Sequence, residues 1–230
     1  MSSLFPMFAK LEGKRCLMVG AGKVGEPKIG GLLDTGASIH VVALQASAAV
    51  NAWARAGKIT LDLRAFAAKD LDGAFLAVVA TASRTLNATI YREAQRRGVL
   101  CNVVDVPEYC DFYYPAVVRR GNLQIAISTN GRSPSLSQKL RRQLERQFGA
   151  GYAEWVEELG ETRKLVLASD LSAERKSELL HSLASREALK AALAKGSGGA
   201  ELANLELANL ELPDAELANT KLADAEWRTA

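Results

Sequence analysis

Gly20-Ala21-Gly22-Lys23-Val24-Gly25 follows directly on the apolar run Cys16-Leu17-Met18-Val19 and leads into residues with helical apolar spacing. A G-x-G-x-x-G pattern between a strand and a helix narrows the possible folds more than any other short pattern in this chain. The first glycine permits a tight turn, the second lets backbone approach a pyrophosphate, and the third lets helix and strand pack closely. The N–H groups that open the helix are then offered to phosphate oxygens. The bland alternative is a glycine-rich strand-to-helix turn that binds nothing. The strand-then-helix context favours a dinucleotide site built from Gly20, Gly22, Lys23, Val24 and Gly25, with Thr81 after the fourth strand in the same set.

The pattern around the motif supports that context. Short apolar runs at 16–19, 39–43, 59–63, 75–80 and 100–104 read as strands, and helical spacing fills 24–33, 46–56 and 86–97. Strand and helix alternating in this way predict an α/β fold with a Rossmann-type parallel sheet over residues 1–112. Residues 113–149 predict a small α+β region. Strands at 112–118 and 123–128 flank a turn at Arg119-Arg120-Gly121-Asn122, and Ser133-Pro134 opens a helix to about Phe148. Two or three helices are expected over 150–195. Gly196-Ser197-Gly198-Gly199 reads as a linker. Beyond it Ala-Asn-Leu-Glu-Leu recurs at 203–207 and 208–212, a period of five that allows a short β-helix or a helical Ala/Leu/Glu-rich tail.

Composition limits the chemistry. Of 230 residues, 48% are hydrophobic and 24% charged, which suits a core-forming protein and excludes a disordered or collagen-like chain. A net charge of +3 gives no reason to expect nucleic acid. No apolar run is long enough for a bilayer span, and the N-terminus lacks a signal-peptide pattern, so a cytoplasmic protein is expected. Cys16, Cys101 and Cys110 are too few for a disulfide framework, in keeping with a reducing compartment. His40 and His181 are expected to be structural, and no metal site is expected. No tyrosine has a lysine four residues later, which removes the Tyr-x-x-x-Lys chemistry.

The second strand ends Val41-Val42-Ala43-Leu44-Gln45, with neither an acid for ribose hydroxyls nor an arginine for a 2′-phosphate. NAD is therefore preferred to NADP, its adenosine end lying near Leu44 and Gln45. Asp105 follows the fifth strand, where open parallel sheets bind their ligands. It reads equally as a catalytic carboxylate and as a turn cap.

Several separated stretches resemble one known family. Leu4-Phe5-Pro6-Met7-Phe8, the glycine loop, Cys101-Asn102-Val103-Val104-Asp105, Phe112-Tyr113-Tyr114-Pro115-Ala116 and Ala126-Ile127-Ser128-Thr129-Asn130-Gly131-Arg132-Ser133-Pro134 resemble the siroheme synthase N-terminal module. That resemblance covers residues 1 to about 190 and implies precorrin-2 dehydrogenase activity, the NAD-dependent oxidation of precorrin-2 to sirohydrochlorin. Some family members also insert Fe²⁺. It further implies a homodimer with exchanged segments, a dimerisation region after the Rossmann domain and a helical C-terminal region. Asp105 matches the family's functional aspartate, a general base. Lys23, Val24, Leu44 and Gln45 match its NAD contacts, and Asn102, Ser128, Thr129, Asn130 and Arg132 are expected at the substrate.

A polycarboxylate substrate suits the basic segment Arg119, Arg120, Arg132, Lys139, Arg141, Arg142 and Arg146, whose residues read equally as a solvated face. The sequence departs from the family pattern at Gly25-Glu26-Pro27-Lys28, where Ala and then Arg usually precede the Lys. The competing reading is an NAD-sensing regulatory module without catalysis, which would have no need of the carboxylate at Asp105.

Overall fold

The computed structural model describes residues 4–185, so the expected linker at 196–199 and the repeat tail lie outside the described residues. Contacts divide the chain between Tyr114 and Pro115 into two compact units.

The first unit is a five-stranded parallel sheet in the order β3-β2-β1-β4-β5. Its strands are β1 (Arg15–Ala21), β2 (Ser38–Ala46), β3 (Thr60–Leu63), β4 (Leu76–Val79) and β5 (Leu100–Val103). The helices α1 (Gly25–Gly30), α2 (Ala48–Arg55) and α3 (Arg84–Arg96) follow β1, β2 and β4. β1 is apolar at every core position because both faces of the sheet are covered. Cys16 and Met18 pack on one face with Ile29 of α1 and Val50 of α2. Leu17 and Val19 pack on the other with Ile90 and Ala94 of α3. Each fully buried Leu, Ile or Val contributes about 1.5–3 kcal/mol. Ser47 and Ser83 cap α2 and α3 by accepting N–H bonds from Val50 and Leu86.

Among the element boundaries that differ from the sequence expectation, four stand out. The helix expected over 24–33 stops at Gly30, because Gly30-Gly31 is a poor helix former, and a 3-10 turn at Leu33–Thr35 completes the path to the left-handed Gly36. β2 runs on to Ala46 through an irregularity in which Val19 pairs Val42 but Ala21 pairs Ala46. The strand expected from Phe112 begins only at Ala116, since Pro115 has no N–H to give a ladder. The hairpin turn tightens to Gly121-Asn122, Arg119 and Arg120 being the last residues of their strand.

A charge network ties the edge of the sheet together. The Arg15 guanidinium donates to the Asp70 and Asp72 carbonyls and to His40 Nδ1 at 2.7 Å. An arginine has only donors, so Nδ1 is an acceptor and Nε2–H is left to donate to Asp62 at 3.1 Å. His40 is thus a structural residue. Arg64 spans Asp62 and the buried Asp70, whose carboxylate also accepts the Ala67 N–H.

The second unit joins the antiparallel hairpin β6 (Ala116–Arg120) and β7 (Leu123–Ile127) to α4 (Pro134–Gln147), α5 (Tyr152–Ala168) and α6 (Ala173–Leu183). Gly121 adopts φ +53° in the hairpin turn, where a β-carbon would lie 3.2 Å from the Ala153 β-carbon of α5. Val166, Leu179 and Leu183 form its small core between α5 and α6.

Arg64 holds the carboxyls of Asp62 and Asp70 below the ordinary carboxylate range, helped at Asp62 first of all by the His40 hydrogen bond. A depressed folded pKa means stability that is present above the unfolded value and lost as pH falls through the folded one. Asp70→Asn should therefore cost about 2 kcal/mol at neutral pH and flatten the acid limb of a melting-temperature profile below about pH 4. Thermal melts of both proteins between pH 2 and 7 check this.

Candidate functional site

The order of the sheet reverses between β1 and β4, and ligands of such sheets bind beyond the strand ends at that point. Gly20 closes β1 at φ +100°, and a β-carbon on it would stand 2.3 Å from the Ala80 carbonyl oxygen after β4. Gly25 opens α1, and a β-carbon there would stand 2.3 Å from the Gly20 carbonyl oxygen. Both glycines are demanded by the fold itself. Gly22 is different: nothing lies within 4 Å of the place its β-carbon would take. Its open backbone, flanked by exposed Lys23 and Val24, leaves the approach a pyrophosphate requires, so these residues fit a dinucleotide.

The remaining expected cofactor residues are distributed around this loop. Leu44 and Gln45 lie in the stretch where β2 bows out of register with β1, and Leu44 is 77% exposed, an apolar surface available to a base. Thr81 directs its hydroxyl hydrogen to Asn87 Oδ1 at 2.7 Å, while Asn87 returns a bond to the Thr81 carbonyl. That side chain is engaged in anchoring α3.

Asp105 occupies the third position of a turn closed by the Val106 N–H on the Val103 carbonyl at 3.1 Å. Its φ of +62° is a left-handed conformation for which glycine is the unstrained choice. A carboxylate kept in such a position, exposed beyond β5, is a candidate functional group, because strained residues concentrate at functional sites. The loop around it is braced. The Cys110 thiol lies 3.2 Å from the Val103 carbonyl and 3.3 Å from the Val106 carbonyl, the two ends of the turn. Asp111 accepts the Cys101 N–H and the Gln95 amide, and Asn102 donates to the Phe112 carbonyl at 2.7 Å.

Asn102 is therefore buried and spends its amide on the loop that carries Asp105. Burial raises the pKa of all three thiols, Cys16 to about 11 and Cys101 to about 12, so none is a ready nucleophile. Lys28, one turn into α1, sets its ammonium 4.0 Å from the centre of the Tyr114 ring. Burial lowers its pKa and the Asp105 carboxylate acts against that shift. Cys110, Asp111 and Lys28 escaped the sequence reading because their roles depend on contacts made only after folding.

In the second unit, Thr129-Asn130-Gly131-Arg132 forms a turn with the Arg132 N–H on the Thr129 carbonyl, and Asn130 and Gly131 both have positive φ. Ser128 and Arg132 are exposed, the Ser128 hydroxyl accepting the Asn130 N–H. The Thr129 hydroxyl accepts the Ser133 N–H and lies 3.2 Å from Ser137 Oγ. Asn102 belongs to the first unit and these four to the second. Within the basic segment, Arg120 donates to the carbonyls of Arg119, Glu145 and Phe148, and Arg141 pairs with Glu145. Those two are engaged within their own unit. Among the described residues no group of three His, Cys, Asp or Glu could hold a metal, and no helix is long and apolar enough to cross a membrane.

Residues 7–116 match a family model described as NAD(P)-binding, and residues 120–147 match the sirohaem biosynthesis protein central model. The chain is 42% identical over 140 residues to siroheme synthase of Methylococcus capsulatus, a match covering 61% of this chain and 30% of that protein. It is 42% identical over 147 residues to siroheme synthase of Azotobacter vinelandii, covering 64% and 32%. The matched part thus spans about a third of these curated relatives. Among solved structures, SirC, a precorrin-2 dehydrogenase, superposes with a TM-score of 0.70 at 29% identity, covering 81% of this chain and 92% of that one.

The three glycines should separate by experiment. Gly22→Ala should melt within about 1–2 °C of the parent, since no protein atom opposes the methyl group, yet bind NAD at least tenfold more weakly. Gly20→Ala should lower the melting temperature by several degrees, because the Ala80 backbone has to move. Melting curves with NAD titrations of each variant check both outcomes.

Proposed function

We propose that this chain is a member of the family of precorrin-2 dehydrogenases and siroheme synthase N-terminal modules and that it oxidises precorrin-2 to sirohydrochlorin with NAD as the acceptor. The observation that carries the reading within the molecule is Asp105, a carboxylate held at φ +62° beyond β5, on the same edge of the sheet as the glycine loop. NAD, when bound, supplies the hydride acceptor. Gly22, Lys23 and Val24 would hold its pyrophosphate, and the exposed Leu44 and Gln45 its adenosine end.

The residues of the chain have less to do. The oxidation removes two hydrogens from the macrocycle, one as hydride and one as a proton, leaving a new double bond. Asp105 accepts that proton on a carboxylate oxygen. Because the product gains conjugation, the reaction needs little further activation, and one positioned base is sufficient. The brace of Cys110, Asp111 and Asn102 keeps the base at a constant place as the substrate arrives.

Three further readings follow from membership of the family. The second unit serves as the dimerisation region of a homodimer, with Ser128, Thr129, Asn130 and Arg132 directed to the substrate. Asp105 can also accept pyrrole protons as Fe²⁺ enters sirohydrochlorin, which needs no protein metal cage. The free thiols suit a reducing cytoplasm.

Mixing the purified chain with precorrin-2 and NAD should produce NADH together with the sirohydrochlorin spectrum. Asp105→Asn should lower kcat by about a hundredfold or more while leaving the Kd for NAD unchanged. No NADH from the parent protein would remove the dehydrogenase reading and favour a cofactor-sensing module. An unchanged rate in the variant would remove Asp105 as the base. Fe²⁺ added to sirohydrochlorin, with the Soret band followed, tests metal insertion separately.

A further inference from the structure

Several arginines of the first unit are satisfied within it. Arg15 is spent on two carbonyls and His40, Arg64 on Asp62 and Asp70, and Arg97 on Glu93 and Asp72. Lys14, which also faces a ring, is exposed and reaches water. Lys28 is neither. Its side chain is half-buried, and its ammonium rests on the Tyr114 ring, which offers an electron-rich face but accepts no ordinary N–H···O bond. Among the described residues it makes no ion pair. Three strong donors are therefore partly withdrawn from water without an anion to receive them.

The position of this cation indicates what it serves. Lys28 lies on α1, one turn beyond the glycine loop, yet the ring beneath it belongs to the segment that follows the Asp105 loop. Tyr114 packs against Phe112, the residue whose carbonyl Asn102 holds. The ammonium is thus on the β5 side of the crevice, opposite in sheet order to the β2 side where Leu44 and Gln45 are exposed. Through Tyr114 and Phe112 the ammonium rests on the segment tied to Asn102, the strand residue that precedes the Asp105 turn, and the Asp105 charge opposes the effect of burial on Lys28. An anion recruited there would sit beside the proposed base.

We propose that Lys28 binds a carboxylate side chain of the tetrapyrrole substrate beside Asp105, holding the macrocycle in register with the base. This rests on the precorrin-2 reading, in which the substrate carries many carboxylates. The other anion this edge would receive is a phosphate of the dinucleotide, which shares the same chemistry. The two sources separate by which ligand a charge-removing substitution affects.

The test uses the full chain, with sirohydrochlorin and NAD titrated separately into the parent, Lys28→Met and Lys28→Arg. Lys28→Met keeps the length of the stem and removes the charge, so it should weaken sirohydrochlorin about tenfold or more and leave the NAD Kd within about twofold. Lys28→Arg should hold sirohydrochlorin to within about threefold of the parent. In turnover assays the loss in Lys28→Met should appear mainly as a raised KM for precorrin-2. Unaltered NAD binding doubles as the check that the glycine loop still folds. Equal sirohydrochlorin affinity in parent and Lys28→Met overturns the proposal, as does a loss confined to NAD or to kcat. A parent protein that binds no sirohydrochlorin overturns the substrate reading and this inference together, whereas a binding parent with an indifferent variant overturns Lys28 alone.

Discussion

β1 and β4 come together at a contact that leaves no room for a side chain. With Gly20 at φ +100° and its missing β-carbon 2.3 Å from the Ala80 carbonyl, the end of β1 turns directly against the end of β4. Gly25 then allows α1 to start on the Gly20 carbonyl. These two close approaches set where the crevice opens. Between them lies the exposed backbone of Gly22, and Lys28 follows one turn into α1. A bulkier loop would push α1 from the sheet and strip the cover from Met18 and Cys16, so the site and the core share one constraint.

The far side of the crevice obeys a different logic. The Asp105 turn adopts a backbone conformation that glycine would hold at less cost, and surrounding hydrogen bonds hold it there. The Cys110 thiol sits within reach of the carbonyls at both ends of the turn, Asn102 secures Phe112, and Asp111 ties the loop back to Cys101. Local strain of this kind persists only where neighbouring structure over-determines it. Asn102 among them is buried, which strengthens its bond and makes a missing partner expensive.

Seen this way, several residues with chemical side chains are framework. Asn102 and Thr81 direct their polar groups inward, and His40 is caught between Arg15 and Asp62. Two arginines of the basic segment, Arg120 and Arg141, are engaged within the second unit. Lys28 runs the other way, a residue read only as part of an altered loop whose ammonium rests on the Tyr114 ring, in the segment that follows the Asp105 loop.

Much of this was legible in the chain of residues. The alternation of apolar runs with helical spacing determined the parallel sheet, because strands buried on both faces must be apolar throughout. The spacing of Gly20, Gly22 and Gly25 determined a dinucleotide loop, since only glycine gives those approaches. The order of separated motifs pointed to the family. What the sequence did not contain was the use of each polar group. Whether an asparagine faces a ligand or a carbonyl, and whether a lysine meets water or a ring, depends on residues brought near only when β5 and its loop fold back on the sheet. The bowing of β2 that exposes Leu44, and the packing of the Cys110 thiol against the Asp105 turn, are likewise decided by packing and hydrogen-bond satisfaction in three dimensions. Periodicity records which face of an element is buried; the partner of each buried donor is settled by the tertiary structure alone.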